Sequence, residues 1–328
     1  MKLHYLPLSF LCLAAFSCDK VKNLANKASS AVEGELSKKD AKPAENKPDP
    51  ELQKLVDQTP EGVIFRKDLP FPGKLDVKTT RVQELSQRVV QSSAIENQVV
   101  TIKGTRTTVT RIERAGDQVR YSLLESAFVE PVIEQAKASK EAKKPVVKQL
   151  APPSKPVVFH KAGSAWKADN SQGFRAVSLS QNLSPVFDEL LIDNALAPRS
   201  LWFGNKRLKL GDQLVVADKL LPMLVAGNAK GTLTLTLKSF DAVGGHPCGM
   251  FEVTGNYDRN QAPDFEGVLA DEEVAIQSGK LWLSLIYPLV LKEELDTIQS
   301  TRTGARGNSA TRGQGSAKVT VTREWKKL

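Results

Sequence analysis

The sequence predicts a mainly β protein: an antiparallel curved sheet or partly closed barrel with one packed helix, arranged as one body or as two β-units. Three observations carry that expectation. Gly231-Thr-Leu-Thr-Leu-Thr-Leu237 alternates strictly between apolar and polar residues, the period of a strand with one buried face. Ala317-Lys-Val-Thr-Val-Thr-Arg-Glu-Trp325 shows the same alternation. Gln118 to Leu124, with Val119, Tyr121 and Leu123 in phase, follows a Thr- and Val-rich run from Val99 to Glu113 across Ala115-Gly-Asp117, and two such runs around a Gly-Asp turn are a hairpin signature.

In chain order, Met1-Lys-Leu-His-Tyr is a basic start, and Leu6 to Phe16 is an apolar stretch too short to span a bilayer as a permanent helix. Residues 1–17 therefore read as a removable signal peptide. Ala15-Phe16-Ser17-Cys18 resembles the bacterial lipobox, in which a dedicated peptidase cuts before a cysteine whose thiol carries diacylglycerol. Ala15 stands where Leu, Val or Ile is commoner, and Phe16 is bulkier than usual. The resemblance implies a lipoprotein with Cys18 as the lipid attachment residue; the plainer alternative is an ordinary secretory signal with an incidental cysteine. Two or three acyl chains hold a protein firmly at a membrane, so the expected location is the cell membrane or outer membrane, with the body in the periplasm or outside the cell. Asp19 resembles an inner-membrane retention residue of some enterobacterial lipoproteins, which leaves the choice of membrane open.

Residues 18–58 are rich in Lys, Glu, Ala, Ser and Pro, too polar to offset the entropy of ordering, and read as a tether. Val21, Leu24, Ala28, Val32 and Leu36 recur at helical spacing, which fits either a weak amphipathic helix at the membrane or a spacer with chance periodicity. Ala41 to Pro50, with three prolines, favours an extended strut. A first β-rich unit is expected over 59–130 and a Lys- and Pro-rich connector over 131–158. A second β-rich unit over 159–328 carries a helix near 184–197, where Ser184 is an N-cap and Pro185 a first helical residue. Lys103-Gly-Thr105 and Lys230-Gly-Thr232 both lead Thr-rich strands, but the apolar phases do not match when aligned, so a duplicated unit competes with coincidence. Leu281 to Leu291, broken by Pro288, reads as core. This gross pattern is similar to uncharacterised envelope lipoproteins with lipid-carrier-like folds; the similarity transfers no functional residue.

Cysteine usage fits an exported body. With Cys12 in the signal and Cys18 alkylated, Cys248 stands alone, so no internal disulfide is expected. Catalytic residue types are sparse: beyond the signal only His160 and His246 remain. The sequence has no Gly-x-Ser-x-Gly elbow, His-Glu-x-x-His, P-loop or dinucleotide fingerprint. His246-Pro247-Cys248 supplies two of the four ligands a closed zinc site needs, and reads more simply as a loop histidine before a buried cysteine. Ser164-Ala-Trp-Lys167 lacks the companion motifs of an acyl-transfer site. Gly304 to Ser316 has the glycines and arginines of a phosphate nest without a following helix, and reads as a long hairpin loop. Asp264, Glu266 and Asp271 to Glu273 are carboxylates expected on a loop, the weak route to a hydrolase. Trp166, Trp202, Phe203, Trp282, Tyr287 and Trp325 read as core or rim ahead of a carbohydrate platform.

Formal net charge is +9, concentrated in two regions. Lys137, Lys140, Lys143, Lys144 and Lys148 form one, and Arg302, Arg306 and Arg312 form the other. They are candidate contacts for an anionic lipid or glycan surface, against the plainer reading of solvated linker charges. The expected function is a non-enzymatic, membrane-anchored envelope lipoprotein that binds a hydrophobic ligand, an anionic surface or a partner protein. The alternative is a hydrolase of envelope carbohydrate or lipid. No cofactor or metal is expected, and nucleic acid is not an expected partner.

Overall fold

The computed structural model describes residues 47–66, 68–69, 72–90, 98–116, 118–129, 132–135, 147–149, 156–162, 165–168, 206–217, 221, 224–225, 228–261, 268–287, 289–305 and 311–328. The signal peptide, Cys18, most of the tether and the helix expected near 184–197 lie outside them. Within the described residues the chain is almost wholly strand. One helical turn, α1 (Pro50–Gln53), has the Asp49 side chain as its N-cap, accepting from Glu51 N. It falls inside the expected tether because Pro50 sits at the first helical position, where its missing N–H costs nothing.

Strands β1 (Asp57–Thr59) and β2 (Gly62–Ile64) form a small hairpin. The rest form one sheet of thirteen strands: β3 (Lys74–Val90), β4 (Gln98–Ala115), β5 (Gln118–Val129), β6 (Val132–Gln135), β7 (Val147–Gln149), β8 (Val157–Ala162), β9 (Ala165–Ala168), β10 (Gln213–Ala217), β11 (Asn228–Val243), β12 (His246–Gln261), β13 (Val268–Ser284), β14 (Val290–Ala305) and β15 (Thr311–Lys327). The order is β10, β11, β12, β13, β14, β15, β3, β4, β5, β8, β9, with β6 on β4 and β7 on β5. The named pairings are all antiparallel, and among the described residues none joins β9 to β10.

The two expected β-units share this sheet. The junction is β15 against β3, paired from Lys327 opposite Leu75 to Arg312 opposite Val90. Three short strands, β6, β7 and the start of β8, occur where a connector was expected. Seven strands run 16 residues or longer, roughly 50 Å each at the usual rise per residue.

Directly opposed residues in an antiparallel pair share a face, so the register defines both faces. The outer face is polar, with cross-strand ion pairs such as Lys238 Nζ to Glu252 Oε2 at 2.9 Å and Lys103 Nζ to Glu84 Oε1 at 3.2 Å. On the inner face of β11, Leu233, Leu235 and Leu237 are buried while the intervening threonines are not. Phe251, Val253, Ile276, Leu281 and Leu283 continue that layer.

The chain before β3 lies across this layer. Val63 exchanges backbone hydrogen bonds with Leu208 (2.8 and 3.0 Å), Arg66 N donates to Leu285 O at 3.0 Å, and the Phe65 ring sits 5.3 Å from that of Phe251. Gly62 permits the approach: its φ is +130°, and a Cβ there would lie 2.7 Å from Leu208 O. The Leu281 to Leu291 segment is core, as its composition predicts, with Leu283, Leu285, Ile286, Leu289 and Leu291 buried.

Candidate functional site: the inner face of the sheet

The inner face is filled unequally. Over β12 and β13 it is closed: a Cβ on Gly249 would lie 2.6 Å from Phe65 Cζ, and one on Gly279 would meet Ile276, Leu295 and Val253 at 3.1 to 3.2 Å. Over β4 it is open. Gly104 stands mid-strand, opposite Gln83, and a Cβ there would meet no atom within 4 Å.

Between those extremes the face turns polar. One cross-strand row runs Leu237, Phe251, Leu281, Glu293, Val321, Arg81 and Arg106 from β11 to β4. Arg323, one position along the same face of β15, donates from Nη1 to Glu293 Oε1 at 2.6 Å and to Val290 O at 3.3 Å. The guanidinium is almost wholly buried, so the pair is a desolvated one whose partners depend on each other. Arg259 and Glu272 make a second charge pair on the inner face, with Nε to Oε2 at 3.0 Å.

Tyr257 lies on that face too. Burial raises its pKa, and the charges of Arg259, Glu272, Glu293 and Arg81 act on it as well. Arg81 is on β3, four strands from β12 in the sheet order. A flat sheet would separate those strands by about 19 Å, beyond a Debye length at physiological salt, so the sheet bends to bring these side chains together.

Several sequence expectations meet the structure here. Asp271 to Glu273 are not on a loop; they belong to β13, where Glu272 faces inward to Arg259 and its neighbours face outward. Much of the hairpin loop expected over Gly304 to Ser316 is strand: β14 reaches Ala305 and β15 starts at Thr311. The loop expected over Asp241 to Pro247 is a two-residue turn, because Gly244 and Gly245 both take positive φ and His246 pairs with Val243. Among the described residues no cluster of metal-ligating side chains occurs.

Of the candidate surface cations, Lys137, Lys140, Lys143, Lys144 and Arg306 lie outside the described residues. Lys148 is on β7 opposite Phe128. Arg302 on β14 is exposed and stands between Asp271 on β13 and Arg312 on β15. Sequence reasoning passed over Arg81, Arg106, Glu293 and Arg323. Their common signal is a charged residue in phase with the apolar positions of its own strand.

His246 and Ser284 are both buried, with Ser284 Oγ 3.3 Å from His246 Nδ1. That hydroxyl accepts from Ile286 N and Tyr287 N at 3.2 and 3.1 Å, which makes it a brace for the turn after β13. Desolvation lowers the His246 pKa to about 4, with the Pro247 backbone pulling the other way. Cys248 Sγ donates to His246 O at 3.1 Å, and burial pushes its thiol pKa far up. Cys248 is thus the buried cysteine expected, and an inert one.

No family model matches the chain, and no curated protein matches it. Among solved structures it is similar to lipovitellin, in a study of that protein's lipid–protein interactions, at 7% identity and a TM-score of 0.36. The match covers 79% of this chain and 26% of that one, so the chain spans about a quarter of lipovitellin's length. A botulinum neurotoxin serotype C1 binding domain overlaps at 5% identity and a TM-score of 0.11, covering 75% of this chain and 79% of that one. Overlaps of this extent carry no argument about function.

Proposed function

We propose that this protein is a non-enzymatic, lipid-anchored envelope lipoprotein that holds the apolar part of an amphiphile against the inner face of its sheet, within a partly closed shell. The supporting observation is the contrast along one continuous face. The β11 to β13 end is plugged by the protein's own Phe65 and Leu208, whereas the β3 to β4 end has buried apolar positions beside the unfilled space at Gly104. Ligand sites are largely pre-formed, mostly apolar concavities with a few polar groups, and that end of the face has both ingredients. The lipobox at Ala15 to Cys18 places the expected site of action at a membrane surface. No helix among the described residues is long and apolar enough to cross a membrane.

The test is native mass spectrometry of the full chain extracted from its host envelope in mild detergent. The reading expects a fraction of the protein to carry a non-covalent lipid mass beyond the anchor, lost on delipidation and regained on adding a short-chain amphiphile. A body that carries no such mass and takes up no amphiphile contradicts it.

A further inference from the structure

Strands β3 and β4 carry a polar belt across the inner face. Their opposed pairs are Leu75 with Ile112, Val77 with Thr110, Thr79 with Thr108, Arg81 with Arg106, and Gln83 with Gly104. Apolar groups bound the belt on both sides: Leu75 and Val77 at one end, Leu85 and its β15 partner Ala317 at the other, all buried. Two like charges directly opposite each other destabilise a strand pair, and here they are partly buried, with both Nε atoms out of solvent. Both arginines interact within the chain, which leaves their charge in place. Glu293, the carboxylate in the same row, is engaged by Arg323 at 2.6 Å. Beside the pair, on the same face, lies the open space at Gly104. A guanidinium offers planar pairs of donors that match the oxygens of a phosphate or carboxylate.

We propose that Arg81 and Arg106, beside the space left by Gly104, form a binding site for the phosphate or carboxylate head of an amphiphile whose chains lie over the flanking apolar bands. This deepens the reading above and rests on it. The belt supplies charge where an anion would be desolvated, and the bands supply apolar contact for the chains.

The experiment compares three probes on the purified full chain: dioctanoyl phosphatidic acid, dioctanoylglycerol and inorganic phosphate. Wild type is expected to bind the phosphatidic acid about tenfold or more tightly than the neutral lipid, the scale of charge-assisted hydrogen bonds. R81Q/R106Q should lose that margin and keep its binding of dioctanoylglycerol, and R81K/R106K should retain part of it. Lys103→Gln, on the outer face, should change nothing.

Equal binding of both lipids by wild type, or an undiminished phosphatidic acid preference in R81Q/R106Q, overturns the head-group site. Wild type that binds neither lipid defeats the amphiphile reading itself. Inorganic phosphate bound as tightly as phosphatidic acid, and lost in R81Q/R106Q, means that the anion site stands and the amphiphile reading fails. If circular dichroism shows R81Q/R106Q unfolded, Gly104→Leu fills the space and keeps both charges. Unaltered phosphatidic acid binding by that variant overturns the proposal.

Discussion

Placing a carboxylate at residue 235 tests the facing of the whole sheet. Leu235 is fully buried mid-strand on β11, opposite Val253 on β12 and Leu214 on β10. Leu235→Asp removes a fully packed side chain, a loss of about 2 to 5 kcal/mol in comparable cores. It also leaves a desolvated charge that costs several kcal/mol more. Against a typical total stability of about 5 to 15 kcal/mol, the variant should be unfolded or nearly so. Thr234→Asp is the matched control. Thr234 points to the outer face between Val215 and Thr254, and a change there should cost about 1 kcal/mol or less, a drop in melting temperature of about 2 to 4 °C. Thermal melts followed by far-UV circular dichroism compare the two. Melting temperatures that fall equally, or a spectrum dominated by helix, would refute the assignment of faces.

Three further outcomes follow from particular contacts. Because burial holds the His246 pKa near 4, against 6.5 in an unfolded chain, the unfolded state takes up a proton first as pH falls. Its contribution is therefore complete above about pH 6.5 and lost between pH 6.5 and 4, by about 3 kcal/mol in all; denaturant titrations at pH 7 and 4.5 should show a shallower decline for His246→Gln, and an identical decline contradicts this. Arg323→Met strands the Glu293 carboxylate at a destabilisation of about 3 to 5 kcal/mol, while R323M/E293L should recover most of it; equal losses in single and double variants would show that the pair is not coupled. Cys18→Ala should abolish an acylated N-terminus in the mass spectrum of the native protein, and an acyl mass found on another residue would overturn the anchoring hypothesis.

The sequence made some strands legible and hid others for one physical reason. β11 was readable because Leu233, Leu235 and Leu237 face the plugged half of the sheet, where the buried layer is purely apolar. Most of β15 was readable through Ala317, Val319 and Val321, although Arg323 continues the same inner face. β3 and β14 gave no such signal. Their inner positions include Thr79, Arg81 and Gln83 on one, and Glu293, Thr297 and Gln299 on the other, so the alternation of burial is not an alternation of hydropathy. The candidate site and the missed strands are thus the same residues. The shared sheet was equally unreadable, since the pairing of β15 with β3 joins segments more than two hundred residues apart and leaves no local trace.

The central claim is that an amphiphile occupies the inner face at β4, and photo-crosslinking in the native envelope tests it most directly. A benzophenone side chain in place of Gly104 enters the open space on the inner face, and one in place of Lys103 points to the outer face of the same strand. The account predicts a lipid adduct, identified by mass, at 104 and not at 103. A protein without a lipid adduct at 104, or with equal adducts at both positions, would contradict it.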